Sequence, residues 1–507
     1  RINTTLNVGK YIRLGMNLAP SFSTDNNPDS EGKDTALHHA IFMPPIVATK
    51  QNTEEWGYNM LTTLPNPLER LKETHSETRN NKILSNVWGE IALSNNLKIK
   101  SQYGYNFQET KNSYFRPSNV NNGIATYGTF YSNDQYTWSL QNTLNYNPKI
   151  SSLFDLNVLA GQSIEGIKYY YSNGRATGYP NSLVYTLNVA STAVTTSTSE
   201  LESAMSSYFG RLSFSAKDKY LLTLNLRRDG SSNFGHDTQW GWFPSASIGW
   251  KINKENFMES TNGWLDLLKL RVSVGKTGNN SIGFYNSISM LSTANYSYGG
   301  TVTSGLAPST LGNSNLGWES KLSKDLGLDF AFLRGKIQAN FDYYIDDTRD
   351  MLQNVPVSYM SGYSSVLQNV GKVRNSGFEF EITTHNIDGQ LKWSTSFNIS
   401  KNTNKVKELG NGNATIIGTI YSASIGSTIT KVGLPISSYY LYKTDGLLTD
   451  ADFDSGGKAI VPIMAGAEKG NIKVVDFNKD GKIDANDKTN LGTNLPDYLW
   501  GLTNRFS

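Results

Sequence analysis

The stretch GFEFEITTHNIDGQLKWSTSFNIS, residues 377–400, decides the fold of this 507-residue chain. Its first run alternates: Phe378, Phe380 and Ile382 share one face, while Glu379 and Glu381 share the other. After a polar connection that contains Asp-Gly, a second alternating run places on one face Leu391, Trp393, Thr395, Phe397 and Ile399. Because side chains of a strand alternate between faces with period two, and Asp-Gly is a common hairpin turn, the stretch predicts a β-hairpin.

The same alternation recurs along the chain and predicts about 15 strands. Lys336–Asp346 and Tyr220–Arg228 are clear examples, and a last strand begins at Tyr498. Short turns of about 2–6 residues alternate with connections of about 15–95 residues, which is typical of an outer-membrane barrel with short periplasmic turns and long extracellular loops. We expect the Ser/Thr-rich segment STAVTTSTSE (191–200) to be one of the gaps between strands and residues 401–497 to be the longest loop.

These patterns predict an all-β fold: a partial, antiparallel transmembrane β-barrel over residues 1–507 with long extracellular loops. Predicted strands of about 9–12 residues fit a tilted membrane crossing, and closure leaves no unpaired edge in lipid. A soluble β-sandwich or propeller would also have an apolar inner face. Long connections at one end only, and the lack of a visible repeat of about 40–50 residues, favour the membrane barrel.

Composition limits the other classes of protein. The formal net charge is +3, so nothing favours nucleic-acid binding, and the chain has no cysteine for disulfides or thiolate metal sites. No run approaches the roughly 18 apolar residues of a membrane helix. Arg1 begins directly in a strand-like run, and the last residues also follow a strand pattern. We therefore expect the chain to be a piece of a longer exported protein.

The most specific local motif is DFNKDGKIDAND, residues 476–487, which matches the spacing of a calcium-binding loop. Gly481 would allow the sharp turn, and the predicted ligands are Asp476, Asn478, Asp480, the backbone carbonyl of Lys482, Asp484 and Asp487. The final Asp is shorter than the usual Glu. The sequence predicts a structural Ca²⁺ that clamps the long loop, and the alternative is an Asp/Asn/Gly-rich turn without metal.

Aromatic residues lie in or beside the long segments, and they suit stacking on sugars or an interfacial aromatic girdle. They are Trp56, Tyr58, Trp240, Trp242, Trp318, Tyr363, Tyr439 and Tyr440. For Trp240, Trp242 and Trp250, at strand ends, we favour the girdle. The histidines show no metal-ligand spacing and no G-x-S-x-G motif is present, so we do not expect an enzyme.

Several stretches resemble the SusC/RagA-like TonB-dependent outer-membrane transporters. They are Tyr220–Gly235 with its RRDGSSNFG run, Gly241–Trp250, Trp264-Leu265 with Lys269–Gly275, Asn369–Gly371 with Asn375–Glu379, and the calcium-like loop followed by Gly492 and Pro496. The resemblance covers residues from about 205 to the end, whereas the first 200 or so match only in general barrel character.

This resemblance implies a barrel of about 22 strands that encloses an N-terminal plug. It also implies import of glycan or peptide fragments with a SusD-like surface lipoprotein, energised by an inner-membrane TonB complex. No plug or TonB box is visible in this sequence, which would correspond to the middle and later part of such a barrel. The alternatives are a passive porin-like channel and a surface adhesin.

Overall fold

The computed structural model describes residues 1–26, 35–49, 66–118, 120, 126–419 and 427–507. Within these ranges, sixteen strands belong to one antiparallel sheet, close to the predicted number. Numbered in chain order, the first strands are β1 (Ile2–Val8), β2 (Ile12–Asp25), β3 (His75–Ser94), β4 (Leu97–Arg116), β5 (Tyr127–Tyr146), β6 (Lys149–Ser151), β7 (Phe154–Thr177), β8 (Thr192–Ala216) and β9 (Tyr220–Ser231).

The later strands of this sheet are interrupted by short strands that form small separate sheets. In chain order they are β10 (Trp240–Lys251), β11 (Leu265–Asn279), β12 (Met290–Tyr298), β13 (Thr301–Thr310), β14 (Glu319–Phe332), β15 (Ile337–Arg349), β16 (Leu352–Pro356), β17 (Ser365–Asn369), β18 (Lys372–Asp388), β19 (Lys392–Glu408), β20 (Ile416–Thr419), β21 (Ser427–Thr430), β22 (Ser438–Tyr442), β23 (Thr444–Leu447), β24 (Ile472–Val474), β25 (Lys488–Asn490) and β26 (Leu499–Phe506). The main sheet follows the order β1-β2-β3-β4-β5-β7-β8-β9-β10-β11-β14-β15-β18-β19-β26, with β6 on β7.

The α-helices of the described residues are short. They are α1 (Ala36–Phe42), α2 (Pro67–Glu73) and α3 (Gly410–Asn413). The side chain of Thr35 accepts the N–H of His38 at the start of α1, and Asn66 does the same for Leu68 at the start of α2. Among the described residues, no helix combines the length and apolar character that a membrane crossing needs.

The chain divides into two compact units. The first contains residues 1–148, 159–209 and 230–232, and its strands β1 to β5 pair in sequence order. A row, here, is a set of residues directly opposite one another on adjacent strands. One row joins Met16, Val87, Tyr103 and Leu140, while the neighbouring row on the other face is Asn17, Asn86, Gly104 and Ser139. Apolar and polar faces therefore alternate as the sequence predicts.

The second unit contains residues 149–158, 210–229 and 233–507, and its main-sheet strands β10, β11, β14, β15, β18, β19 and β26 pair antiparallel in this order, with local bulges in β11 and β18. One apolar row reads Leu270, Leu328, Phe341, Phe380, Ile399 and Trp500. The predicted hairpin is confirmed: β18 and β19 pair with Phe380 opposite Ile399, and a bulge between His385 and Ile387 precedes the turn.

Several predicted boundaries are wrong, because strands extend beyond the alternating segments. The segment predicted as a gap, STAVTTSTSE, lies almost wholly within β8, and Lys401–Glu408, predicted as loop, continue β19. The strands β3, β4 and β5 each have 20 residues, well above the predicted length. Backbone pairing does not require an apolar face, so strands continue where both faces are polar.

Candidate functional site

The polar face of the second unit carries a network centred on Arg271 of β11. Its Nε donates to both carboxylate oxygens of Asp329 at 3.0 Å, and its Nη2 lies 2.7 Å from Oδ1 of Asp342. Lys269 adds an ion pair to Asp329 at 3.3 Å, and Asp325 lies 3.9 Å from Arg271. Because a guanidinium presents several donors in a plane, one arginine ties together three neighbouring strands.

Gly327 makes this arrangement possible. It lies directly between Arg271 and Asp342 in the register of the sheet. A Cβ at this position would stand 2.4 Å from Oδ1 of Asp342 and 2.6 Å from Cζ of Arg271. The absence of a side chain therefore lets the guanidinium reach across the strand β14 to a carboxylate on β15.

The two acidic residues of the opening hairpin join the same polar face, as predicted. Glu379 lies opposite Asp342 on one side and Ser400 on the other, and Glu381 lies one row away. Both side chains are exposed. Carboxylates and amides on adjacent strands thus form a hydrophilic wall that a polar solute could contact.

A cleft of about 560 Å³ opens on the β9 to β14 part of the second unit. Its polar lining includes Asn225, Arg227, Asp229, Ser245, Ser273 and Thr277. Arg227 donates from Nε to Asp229 at 2.6 Å, and Asn225 donates to the hydroxyl of Ser245 at 3.1 Å. Sequence reasoning missed this cleft and the Arg271 network, although charged residues on the polar side of alternating strands were the available signal.

The predicted girdle residues lie on the apolar side of the sheet. Trp240 and Trp242 are 40% and 52% exposed, and the guanidinium of Arg228 stacks over both rings at 4.5 and 5.3 Å from their centroids. Trp250 donates from its indole N–H to Glu255 at 3.0 Å. An aromatic ring with one polar partner suits a boundary between apolar and aqueous surroundings.

The other predicted aromatic residues have different surroundings. Trp318 packs against Phe234 and Phe243 and donates its indole N–H to the carbonyl of Gln239, so it belongs to a packed cluster at the base of the loops. Tyr363 lines a cleft of about 590 Å³ between loop segments, and Tyr439 and Tyr440 lie on β22. Trp56 and Tyr58 lie outside the described residues.

Acidic side chains in the short turns are held by cations and other donors. The hydroxyl of Tyr220, the indole of Trp250 and the ammonium of Lys219 lower the pKa of Glu255 to about 2. Lys251 and Lys254 lower the pKa of Asp218 to about 2. These ion pairs link consecutive turns at the end of the sheet where the connections are short.

The calcium-like loop folds as a chain of turns in which its acidic side chains accept backbone hydrogen bonds. Asp476 accepts the N–H groups of Asp480 and Gly481, and Asp480 accepts that of Lys482. Asn478 donates from its amide to Asp480 at 3.0 Å. Gly481 has a φ of +84°, as the predicted sharp turn requires.

Asp487, predicted as the last ligand, is fully buried in this loop. Its carboxylate accepts the backbone N–H groups of Asp484, Asn478 and Phe477, which hold its pKa below the usual value against the effect of burial. Asp484 itself accepts the N–H of Asn486. The oxygen donors present suit Ca²⁺, yet among the described residues no three His, Cys, Asp or Glu side chains converge on one metal position.

The comparison with protein families decides what kind of barrel this is. The model described as "TonB dependent receptor-like, beta-barrel" matches residues 18–461. The chain belongs to this family. The matched region includes all strands from β3 to β23, so the alternating faces and the long loops are those of an outer-membrane β-barrel.

Individual relatives agree with this assignment. TonB-dependent receptor P39 of Formosa agariphila is 33% identical over 472 residues, which are 87% of this chain and 45% of that protein. TonB-dependent receptor SusC of Bacteroides thetaiotaomicron is 30% identical over 477 residues, or 89% of this chain and 44% of SusC. The chain thus spans a little under half the length of these relatives, which are named as receptors.

A solved structure shows the same fold. The structure of the RagAB peptide transporter matches with a TM-score of 0.79 and 22% identity, over 99% of this chain and 55% of that one. In this fold the long loops are extracellular and the short turns periplasmic. The polar network around Arg271 therefore belongs to the inner side of a barrel wall, and the apolar rows face lipid.

Proposed function

We propose that the protein containing this chain is an active, TonB-dependent transporter of the outer membrane that imports glycan or peptide fragments. The observation that carries the proposal is the family match over residues 18–461, joined to a SusC relative that aligns with 89% of the chain. A hydrophilic wall with Arg271, Asp329, Asp342 and Glu379 supports passage of polar solutes. We further propose a SusD-like surface lipoprotein as partner of the long loops.

Uptake by whole cells tests this function. Cells that lack the gene should take up fluorescent oligosaccharide or peptide mixtures more slowly, and the full-length gene should restore uptake. A protonophore that removes the proton gradient should abolish the restored uptake, because energised import depends on it. Uptake that survives the protonophore would identify a passive porin-like channel, and unchanged uptake with lost surface attachment would identify an adhesin.

The class of substrate and the partner need separate measurements. Binding of the purified full-length protein to fractionated glycans and to peptide mixtures of similar size separates the two substrate classes. Affinity purification with an epitope tag at a periplasmic turn should recover a surface lipoprotein in stoichiometric amount. Recovery of the receptor alone from gently solubilised membranes would contradict the proposed partnership.

We also propose that residues 476–487 bind one structural Ca²⁺ in the long extracellular loop. The support is the donor set of Asp476, Asn478 and Asp480, together with the turn at Gly481. Ligand binding would require some of these oxygens to exchange backbone hydrogen bonds for the metal. Calorimetric titration of the full-length protein should show Ca²⁺ binding that Asp480→Ala removes.

A matched control comes from the same loop. Asp454 also accepts two backbone N–H groups in an acidic turn but lies outside the motif. The Asp454→Ala variant should therefore bind Ca²⁺ with the same heat and affinity as the unchanged protein. A flat titration of the unchanged protein, or equal loss in both variants, would reject the calcium site.

A further inference from the structure

The apolar face of the second unit ends in cations at its extracellular border. One row at this border places residues of β11, β14, β15, β18 and β19 directly opposite one another, namely Lys276, Leu322, Asp347, Arg374 and Lys405. In the row below, Lys324 lies between Val274 and Ile345. We call Lys276, Lys324, Arg374 and Lys405 the basic rim.

Toward the periplasmic end of the same face, the two rows that the structure describes across β14, β15, β18, β19 and β26 contain no charged residue. The lowest row that spans all five strands consists of Phe332, Ile337, Thr384, Thr395 and Asn504. The next row consists of Phe330, Ala339, Ile382, Phe397 and Leu502. On these rows, the cations therefore lie at the extracellular border and not at the periplasmic one.

The protein itself neutralises little of this charge. Arg374 donates two hydrogen bonds of 2.8 Å to Asp347. Asp347 is the carboxylate in that row, so its charge is already paired with Arg374 and does not neutralise the lysines. Lys276, Lys324 and Lys405 are exposed, and within the described ranges none of them has a carboxylate at ion-pair distance. One row further out, Arg349 adds a positive charge opposite Lys372, and Lys372 lies opposite Glu408.

The height of the rim matches the edge of the hydrocarbon layer. Residues of successive rows are two apart along a strand, about 6.8 Å, and a tilt of about 40° reduces this to about 5 Å of height. The row of Lys276 lies five rows above that of Phe332, about 26 Å higher. An outward apolar band is about 25 Å tall, so the rim stands at its border with the lipid head groups.

We infer that the basic rim binds phosphate groups of an anionic lipid head group in the outer leaflet. Across the strands, Lys276 and Lys405 are four spacings apart, about 19 Å, which exceeds the width of a single phosphate. The rim therefore suits a head group with more than one anionic group. Long basic side chains at this height place their stems against the acyl chains and their charges among the phosphates.

Binding of a defined lipid by the full-length protein in neutral detergent tests the inference. The probes are bis-phosphorylated lipid A, the same lipid without phosphates, and inorganic phosphate. The variant combines Lys276→Gln, Lys324→Gln and Lys405→Gln. Each basic residue near an anionic leaflet raises the binding affinity by about a factor of five. Loss of three such residues should therefore lower the affinity for bis-phosphorylated lipid A by about a hundredfold.

A charge-matched control distinguishes a site from general attraction. Lys431→Gln, Lys443→Gln and Lys458→Gln remove three exposed charges from the extracellular loop, and together they should change the affinity less than twofold. Gel mobility before and after heating confirms that each barrel is folded, and Lys324→Gln alone serves as a milder variant.

Three results would overturn the inference. The first is equal affinity of the rim variant and the unchanged protein for the phosphorylated lipid. The second is equal loss in the loop control, which would mean general charge attraction. The third is displacement of the lipid by millimolar inorganic phosphate, which would make free phosphate the ligand.

Discussion

Replacing Phe380 with arginine would place a cation near the middle of the apolar face. Phe380 lies on β18 in the row that joins Leu270, Leu328, Phe341 and Ile399. That row stands two rows above the row of Phe332 and Ile337, hence about 10 Å higher in a band about 25 Å tall. Its apolar neighbours offer no anion, so the substituted side chain would have to reach for the interface.

The expected cost follows from depth. Arginine or lysine on the lipid face costs about 2–4 kcal/mol near the midplane and about 0–1 kcal/mol near the interface. Phe380→Arg should therefore lower the free energy of unfolding by about 2–4 kcal/mol. Ser376→Arg, on the same strand and face but two rows nearer the rim, should cost about 0–1 kcal/mol. Glu381→Arg, on the polar face, should also cost little.

Denaturant titrations of the full-length protein in phospholipid vesicles measure these differences through tryptophan fluorescence. The three variants share one strand, so differences in strand propensity stay small beside the depth effect. Equal costs at Phe380 and Glu381 would refute the assignment of the two faces. A higher cost at Ser376 than at Phe380 would refute the placement of the rows in the membrane.

Three further predictions concern glycine packing, acid stability and the long loop. Gly327→Ala should lower the free energy of unfolding by about 1–3 kcal/mol, because the added Cβ meets the guanidinium bridge, whereas Gly263→Ala, with open space around it, should be neutral in the same titration. Because the pKa of Glu255 is lowered from 4.5 to about 2, its stabilising contribution is complete above pH 4.5 and is lost as pH falls toward 2. The difference in melting temperature between the unchanged protein and Glu255→Gln should therefore shrink across that window, and a constant difference would contradict the ion pair. Asp487→Ala, with calcium chelated, should speed amide hydrogen exchange at Phe477 by about tenfold, because the N–H loses its carboxylate acceptor, and unchanged exchange would contradict that role.

The sequence predicted the faces of the sheet well because lipid on one side and water on the other impose a strict chemical alternation. The opening hairpin shows this: the pairing of Phe380 with Ile399 and of Glu381 with Asn398 follows directly from the period of two. Strand ends were predicted poorly for the same reason. Residues 195–200 of β8 read TTSTSE and are all polar, so this part of the strand joins the sheet without any alternation of hydrophobicity.

For the calcium-like loop, the sequence predicted the turn but not the hydrogen bonds. Its spacing fixes the bend at Gly481, and that bend is present. Which oxygens accept backbone N–H groups depends on how the loop closes on itself, and a pattern of Asp and Asn does not encode this. Asp487 is the clearest case, since its burial and three backbone donors depend on the loop as a whole.

Register explains why the polar network and the basic rim both escaped sequence reasoning. Arg271 and Lys276 lie on one strand, five residues apart, and the register shows no shift between them. An odd separation puts the two cations on opposite faces, so one joins carboxylates inside the barrel wall and the other faces lipid. Insertion of one residue between them would bring both to the same face. Composition alone cannot make this distinction, because the two side chains carry the same charge.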